Sequence, residues 1–316
     1  ASVLEELSKS HELPKLILKY REYEKLRSTY IEGLKNEVVK NRVHTSYNLF
    51  GTTTGRLSSE KPNLQNIPNK TDMGQRIREF FIADSKHVFV IADYSQIELR
   101  VLAHLSNDKS MIDMLQNRES DIHSETASKI FQTNIESVTK DMRRKAKEVN
   151  FGLIYGMESF GLSKSLNISK KEAEELIEAY FSQFPKIKGF LDKIVDDATT
   201  NTFTETLYGR KRYIKELASS NFQLKAMGKR IAMNAPIQGT ASDIMKIAMI
   251  KLNKEIQKIK STDLLLQIHD EIIIQTPKES ANKVSKIVKK EMEGASKLKV
   301  PLFVDIKENI NLSNLN

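Results

Sequence analysis

The 316 residues contain no cysteine and no tryptophan, and only 7 prolines and 12 glycines. Without cysteine there can be no disulfide and no thiolate metal site. No pair of histidines stands at ligand spacing, which speaks further against zinc. No apolar stretch reaches the roughly 18 residues of a membrane span, and the amino terminus lacks the apolar core of a signal peptide, so the expectation is a cytoplasmic protein with no membrane partner. Internal repeats and low-complexity tracts are missing. Acid is scarcer than base: 41 Asp and Glu against 50 Lys and Arg leave a formal charge of +9 and a pI near 9.3. That balance suits a polyanionic partner, although charge alone does not separate nucleic acid from an anionic membrane. With 39% hydrophobic residues the chain has enough apolar material to fold. Its length suggests two domains or subdomains. It begins with Ala rather than Met, as a fragment of a longer protein would.

Among what is present, one stretch organises the rest: Val88-Phe89-Val90-Ile91-Ala92-Asp93-Tyr94-Ser95-Gln96-Ile97-Glu98. A short, partly β-branched apolar run reads as a buried strand. Such a strand cannot hold a carboxylate in its interior, so Asp93 is expected at its end, on the lip of a cleft. Taken alone, Asp93 reads first as a strand-end or helix-cap acid.

Helical spacing of apolar residues runs through 1–40, followed at 41–70 by Gly, Thr, Ser, Asn and Pro in loop proportions. That loop carries Arg56 and several amides, side chains that reach phosphates and base edges, but taken alone it reads first as an ordinary polar loop. Gln96 to Leu105 continues as a helix, and 107–140 reads as short helices. Ser169-Lys170-Lys171-Glu172 is a capping box before a helix that ends ahead of Pro185. Phe203 to Ile214 alternates around Tyr208-Gly209-Arg210 as a basic hairpin. Residues 222–258 are helical, with a bend or break expected at Pro236. In Leu264-Leu265-Leu266-Gln267-Ile268-His269-Asp270-Glu271-Ile272-Ile273-Ile274, two apolar strands flank a turn that carries the acids. A charged helix over 279–296 and a strand over 300–306 follow. This order gives an α+β fold, an antiparallel sheet backed by helices with a helical insertion.

Two acids of one type now stand at strand ends, Asp93 and Asp270. If their strands are neighbours, the carboxylates converge and repel unless cations lie between them. A pair of Mg²⁺ ions serving phosphoryl transfer is the usual answer, since this hard cation favours carboxylates and substrate phosphates. Between the acids, Arg143, Lys147, Phe151 and Tyr155 are spaced by four and share one helical stripe. Two cations followed by two rings match the phosphates, sugar and base of a nucleoside triphosphate; a solvated basic patch beside buried aromatics is the alternative.

At this point the chain resembles the family A DNA polymerases, the bacterial DNA polymerase I group. Asp93-Tyr94-Ser95-Gln96-Ile97-Glu98-Leu99-Arg100 looks like their motif A, Arg143 to Gly156 like motif B, and His269-Asp270-Glu271 like motif C. Thr54-Gly55-Arg56-Leu57-Ser58-Ser59, Pro62 to Pro68, and Pro236-Ile237-Gln238-Gly239-Thr240-Ala241 match in the same order. The resemblance covers about residues 15–310. It implies a right-hand polymerase fold: 1–20 a remnant of the thumb, 21–97 and 221–316 the palm, and 98–220 the fingers. Asp93 and Asp270, with the Tyr94 carbonyl, would hold two Mg²⁺ ions, and Glu271 would be a further acid of the catalytic group. Arg143 and Lys147 would meet the triphosphate, with Lys147 also protonating the leaving group. Phe151 would pack on sugar and base, and Tyr155 would fill the templating position until the fingers close. Gln96 and His123 resemble further triphosphate contacts, and Glu98 would exclude a ribose 2′-hydroxyl. Arg56, Asn63, Asn66, Arg230, Asn234, Gln238 and His269 would line the minor groove and primer terminus.

The implied activity is template-directed addition of deoxynucleoside triphosphates to a primer 3′-hydroxyl, in replication or repair, by a monomer acting on primed template DNA. The family's nuclease, its proofreading region and most of its thumb have no counterpart in these residues, so weak, low-processivity binding is expected. The segment 309–316 lacks the Trp seen there in the family. Two other readings remain: a single-subunit RNA polymerase or reverse transcriptase, against which Glu98 argues, and a non-catalytic DNA-binding fragment, against which the joint presence of Asp93, Asp270 and Lys147 argues.

Overall fold

Strict alternation builds the centre of the molecule. In the computed structural model, which describes residues 2–69 and 71–313, the run His87–Tyr94 forms a strand, β1. It is flanked by the hairpin strands Asp263–Ile268 (β2) and Glu271–Pro277 (β3) on one side and by Val304–Asn309 (β4) on the other. The sheet order is β4-β1-β3-β2, with every neighbouring pair antiparallel.

Because successive side chains point to opposite faces, the even positions of β1, Val90, Ala92 and Tyr94, join Ile272, Ile274 and Val304 in the main core. The odd positions Phe89 and Ile91 join Ile273, Ile268 and Leu312 in a smaller cluster on the other face. Asp93 is an odd position and leaves the sheet on that second face.

The main core is continuous from the sheet into the helical part. It takes in Ile97 and Leu102 of the helix Ile97–Ser106 (α1), Ile122 of Ile122–Ile130 (α2), Val149 and Leu153 of Lys140–Ile154 (α3), Ile237 and Ile244 of the 35-residue helix Phe222–Ile256 (α4), and Val284 and Val288 of Ala281–Glu293 (α5). At roughly 1.5–3 kcal/mol for each fully buried aliphatic side chain, this shared core ties the two parts together.

Several expectations change. Asp93 does not lie beyond the strand: it stands in the ladder, opposite Glu271 on β3 and Asp305 on β4. It is tolerated there because its side chain opens onto a cleft. α4 does not break at Pro236. Its segment from Ala235 to Met245 is buried almost all round, by Ile237, Thr240, Ala241 and Ile244 among others. Tertiary packing of this kind outweighs the ~3 kcal/mol that an interior proline costs. The end of the 1–40 region is not helical: Val38–Val39 pairs with Arg42–Val43. The turn residues between them, Lys40 and Asn41, both have positive φ, the backbone twist that two-residue hairpins require. The last strand starts at Val304 rather than Val300; Pro301 lacks the N–H that a ladder needs. Residues 41–70, read as loop, supply Arg42–Val43 to the pair with Val38–Val39 and also hold a second one, Ser46–Asn48 with Ser58–Glu60.

Other expectations stand. Phe203–Glu205 pairs with Lys211–Tyr213; of the expected capping box one half forms, Ser169 Oγ accepting from the Glu172 N–H at 3.1 Å, while Glu172 Oε1 accepts from Lys145 instead. Among the described residues no helix is long and apolar enough to cross a membrane.

Candidate active site

The hairpin places the second acid. Ile268 and Glu271 are the last paired residues of β2 and β3, leaving His269-Asp270 as the turn, with His269 in the left-handed region (φ 53°). The Asp270 carbonyl accepts from the Tyr94 N–H at 3.1 Å, which sets the turn beside the end of β1. Asp93, His269, Asp270 and Glu271 therefore share the floor of one cleft of about 940 Å³, with Asn63, Asn66 and Arg78 on its walls. The Tyr94 side chain points the other way, into the core, where its hydroxyl donates to the Met292 carbonyl at 2.7 Å. Only its backbone can serve the cleft.

Charge is crowded on this floor. The Asp93 carboxyl is pushed up to about 7, first by the protein enclosing it and then by Glu271 and Asp270. Burial also raises Asp270, against the pull of Arg56 and His269, and raises Glu271, against Arg78. The counter-cations are distant, Arg56 at 3.9 Å from Asp270 and Arg78 at 3.6 Å from Glu271.

Glu98 is the second residue of α1 and is only 5% exposed. Both its oxygens are held: Arg56 Nη2 donates to Oε1 at 2.6 Å and the Tyr155 hydroxyl to Oε2 at 2.7 Å. Burial raises its pKa, opposed by Tyr155 and Arg56. The chain Tyr155–Glu98–Arg56–Asp270 thus joins the end of α3 to the carboxylate floor. Gln96 precedes α1 as its N-cap residue in the left-handed region, φ 54°, a conformation in which non-glycine residues cluster at functional sites.

The stripe on α3 presents as its spacing foretold. Arg143, Lys147 and Tyr155 are exposed, Phe151 half-buried. Tyr155 caps the helix, its N–H bonding the Phe151 carbonyl. Arg143 stands about 18 Å up the axis from Tyr155 and is held in a fork by Asp121, at 2.6 and 3.2 Å. Burial would raise Asp121, but Arg143 and Ser124 bring it down to about 2. An exposed pair of this kind is worth under ~1 kcal/mol and gives way readily to a stronger anion. His123 is buried, its ring 5.6 Å from that of Phe151, with Nδ1 3.2 Å from Asn150 Nδ2. Burial, with Arg143 and Lys147 nearby, lowers its pKa to about 4, so it is neutral at pH 7.

A stability prediction follows for His123. Unfolded, it takes up a proton near its ordinary value of 6.5; folded, not until about 4. The unfolded state binds more protons in between, so this contribution is complete above 6.5 and is lost as pH falls towards 4. Urea unfolding from pH 7 to pH 4 should show a shallower stability loss for His123→Gln than for wild type, and equal slopes would refute the assignment.

The remaining expected residues are distributed as follows. Arg230, Asn234 and Gln238 lie along one side of the unbroken α4, with Arg230 exposed and the other two half-buried. Asn234 Nδ2 donates to the Tyr155 carbonyl at 3.3 Å. Arg56, His269 and Asp270 share a small recess beside Ser242 and Lys246. Asn63 Oδ1 closes a turn onto the Gln65 N–H, 3.0 Å, and the Asn66 carbonyl accepts from the Tyr30 hydroxyl.

The match to a family model for DNA polymerase family A runs over residues 1–313. The chain belongs to this family. DNA polymerase I of Caldicellulosiruptor bescii is 50% identical over 98% of this chain and 37% of its own length. The thermostable DNA polymerase I of Thermus aquaticus is 46% identical over 97% of this chain and 37% of its own length. The polymerase domain of Pol1 from M. smegmatis, solved with DNA primer-template and dNTP, superposes with a TM-score of 0.94 at 39% identity, covering 99% of this chain and 56% of that one. The chain therefore spans little more than a third of the curated relatives it matches.

Within this family A chain, sequence reasoning missed two residues of the site. Arg78 is 3% exposed, reaches the Leu312 carbonyl at 2.6 Å and is the cation nearest Glu271. Tyr47 fastens the strand leading to the acidic turn, its hydroxyl donating to the Gln267 carbonyl at 2.8 Å. Neither left a signal in the local sequence.

Proposed function

We propose that this chain is the polymerising part of a DNA polymerase, a DNA-directed nucleotidyltransferase. It adds deoxynucleoside triphosphates to the 3′-hydroxyl of a primer on template DNA and releases pyrophosphate. The observation that carries this is the meeting of Asp93 and Asp270 on the floor of one cleft, with Asp93 raised to about 7 by its surroundings and neighbouring acids.

The donor set suits Mg²⁺. It is all oxygen: two carboxylates and the Tyr94 backbone. An incomplete set leaves coordination positions for water and substrate phosphates, as this cation prefers. Two Mg²⁺ ions, when bound, would lower the pKa of the primer hydroxyl and neutralise the leaving pyrophosphate.

The chain's own residues supply the rest. Asp93 and Asp270 hold the charge balance of the cleft, with Glu271 beside them. Arg143, exchanging Asp121 for phosphate, and Lys147 bind the triphosphate, and Lys147 donates a proton to the leaving group. Neutral His123 and Gln96 add hydrogen bonds to it. Phe151 stacks on the nucleoside, and Tyr155 yields the templating position when α3 closes. Glu98, held by two hydrogen bonds, blocks the 2′-position. Arg56, Asn63, Asn66, Arg230, Asn234, Gln238 and His269 read the minor groove, whose acceptors are nearly alike for every correct pair. That checks pair shape without choosing sequence. In this reading 98–220 forms the fingers, 21–97 and 221–316 the palm, and 1–20 the thumb's last part, in a monomeric cytoplasmic enzyme of replication or repair.

The test is single-nucleotide incorporation on four primed templates that differ in the templating base. Each deoxynucleotide should be added only opposite its complement. Additions independent of the template, or equal use of ribonucleotides, would overturn the proposal.

A further inference from the structure

We propose that Arg210 is a positioning residue: it locks the turn that carries Arg56 onto α4, so that Arg56 and the α4 side chains meet the primer terminus as one rigid set. The idea rests on the minor-groove role proposed above for Arg56 and deepens it.

Arg210 belongs to neither element. It stands in the hairpin between Phe203–Glu205 and Lys211–Tyr213, more than 150 residues from Arg56 in sequence. Its guanidinium binds three acceptors from two other segments: the Thr54 carbonyl at 2.7 Å, the Gly239 carbonyl at 3.0 Å, and Asp243 Oδ1 at 2.9 Å. Both segments are shaped to admit it. A Cβ on Gly55 would come within 2.4 Å of the guanidinium carbon, and one on Gly239 within 2.8 Å of a guanidinium nitrogen. Gly55 also has φ +80°, a conformation in which a side chain is strained. Two glycines in separate segments thus leave space for one side chain, and the residue after Gly55 is Arg56.

The hairpin and the turn are each fixed to α4 independently. Thr240 Oγ1 accepts from the Leu207 N–H at 2.9 Å, and Ser242 Oγ donates to the Gly55 carbonyl at 2.7 Å. Gly239, Thr240, Ser242 and Asp243 therefore form a dock on α4, and the Arg210 fork closes it over the turn. A planar fork serves several acceptors at fixed angles; a lysine ammonium cannot reproduce that.

Primers ending in guanine or in 3-deazaguanine test the assignment, because the analogue replaces the minor-groove N3 acceptor with C–H. Wild type should extend the analogue roughly 10–100-fold more slowly, the effect of losing one hydrogen bond from a charged donor. Arg56→Ala should extend both primers at one reduced rate. Arg210→Ala, shown by thermal melting to be folded, should lose most of the discrimination, to within about threefold, although residue 210 touches no DNA in this reading. Arg210→Lys, which keeps a cation beside Asp243, replaces it if the alanine variant does not fold and should also discriminate less than wild type. Full discrimination in the folded variant would overturn the proposal while leaving the role of Arg56 intact. An indifferent wild type would overturn both.

Discussion

Asp270→Asn should abolish nucleotide incorporation and leave binding of primed DNA nearly unchanged. Asparagine keeps the volume and suits the turn between β2 and β3, so the fold has little reason to respond. What changes is charge. Asp270 is one of three acids on the cleft floor, and its presence helps to raise Asp93 to about 7. In the proposed mechanism its removal relieves the repulsion that would make the floor a cation site and takes away one of the two carboxylates that would hold the ions. Cation stabilisation of a phosphoryl transition state is worth several kcal/mol, so a loss of about 10³-fold or more is expected in single-turnover extension. Affinity for DNA, measured by fluorescence anisotropy, comes mostly from phosphate contacts elsewhere and should stay within a few fold. A variant that still incorporates within tenfold of wild type would show that the acids do not hold the reacting centre.

The second large effect is expected at Glu98. A side chain excludes a hydroxyl group only if it cannot move aside. Glu98 is 5% exposed and held at both oxygens by Arg56 and Tyr155. Glu98→Ala removes the obstacle and should improve ribonucleotide use relative to deoxynucleotide use by about 10- to 100-fold, the range expected for relieving one steric conflict. It should also slow deoxynucleotide addition, because Arg56 and Tyr155 lose the group that aligns them. Glu98→Gln separates the two effects: it keeps the bulk, and with it most of the sugar discrimination, but weakens the Arg56 pair. Unchanged sugar selection in the alanine variant would remove Glu98 from this role.

The sequence makes legible what depends on local period. The continuous apolar run of β1, the acids between the apolar strands β2 and β3, and the stripe of four-residue spacing on α3 are local patterns, and each folds where its pattern places it. The site's cross-links have no such period. Arg56 meets Glu98 across 42 positions, Arg78 meets Glu271 across 193, and Arg210 meets Thr54 across 156. An arginine that will bind a distant carbonyl looks like any other arginine in sequence. The helix through Pro236 differs for a related reason. Proline is a strong local signal, but at Pro236 a buried, tightly packed segment decides, and burial belongs to the tertiary structure. Asp93 is the instructive case: its charge argued for a place outside the strand, while the alternation along β1 keeps it in the ladder and turns it onto the second face. The cleft on that face satisfies both.

The most direct measurement is single-nucleotide incorporation on a primed template as free Mg²⁺ is raised from zero, for wild type and for Asp93→Ala. Wild type should be inactive in chelator and should then rise to a plateau, steeply enough to require more than one ion, while Asp93→Ala stays at the baseline throughout. Incorporation by wild type without a divalent cation, or an Asp93→Ala curve that follows the wild-type curve, would contradict the account.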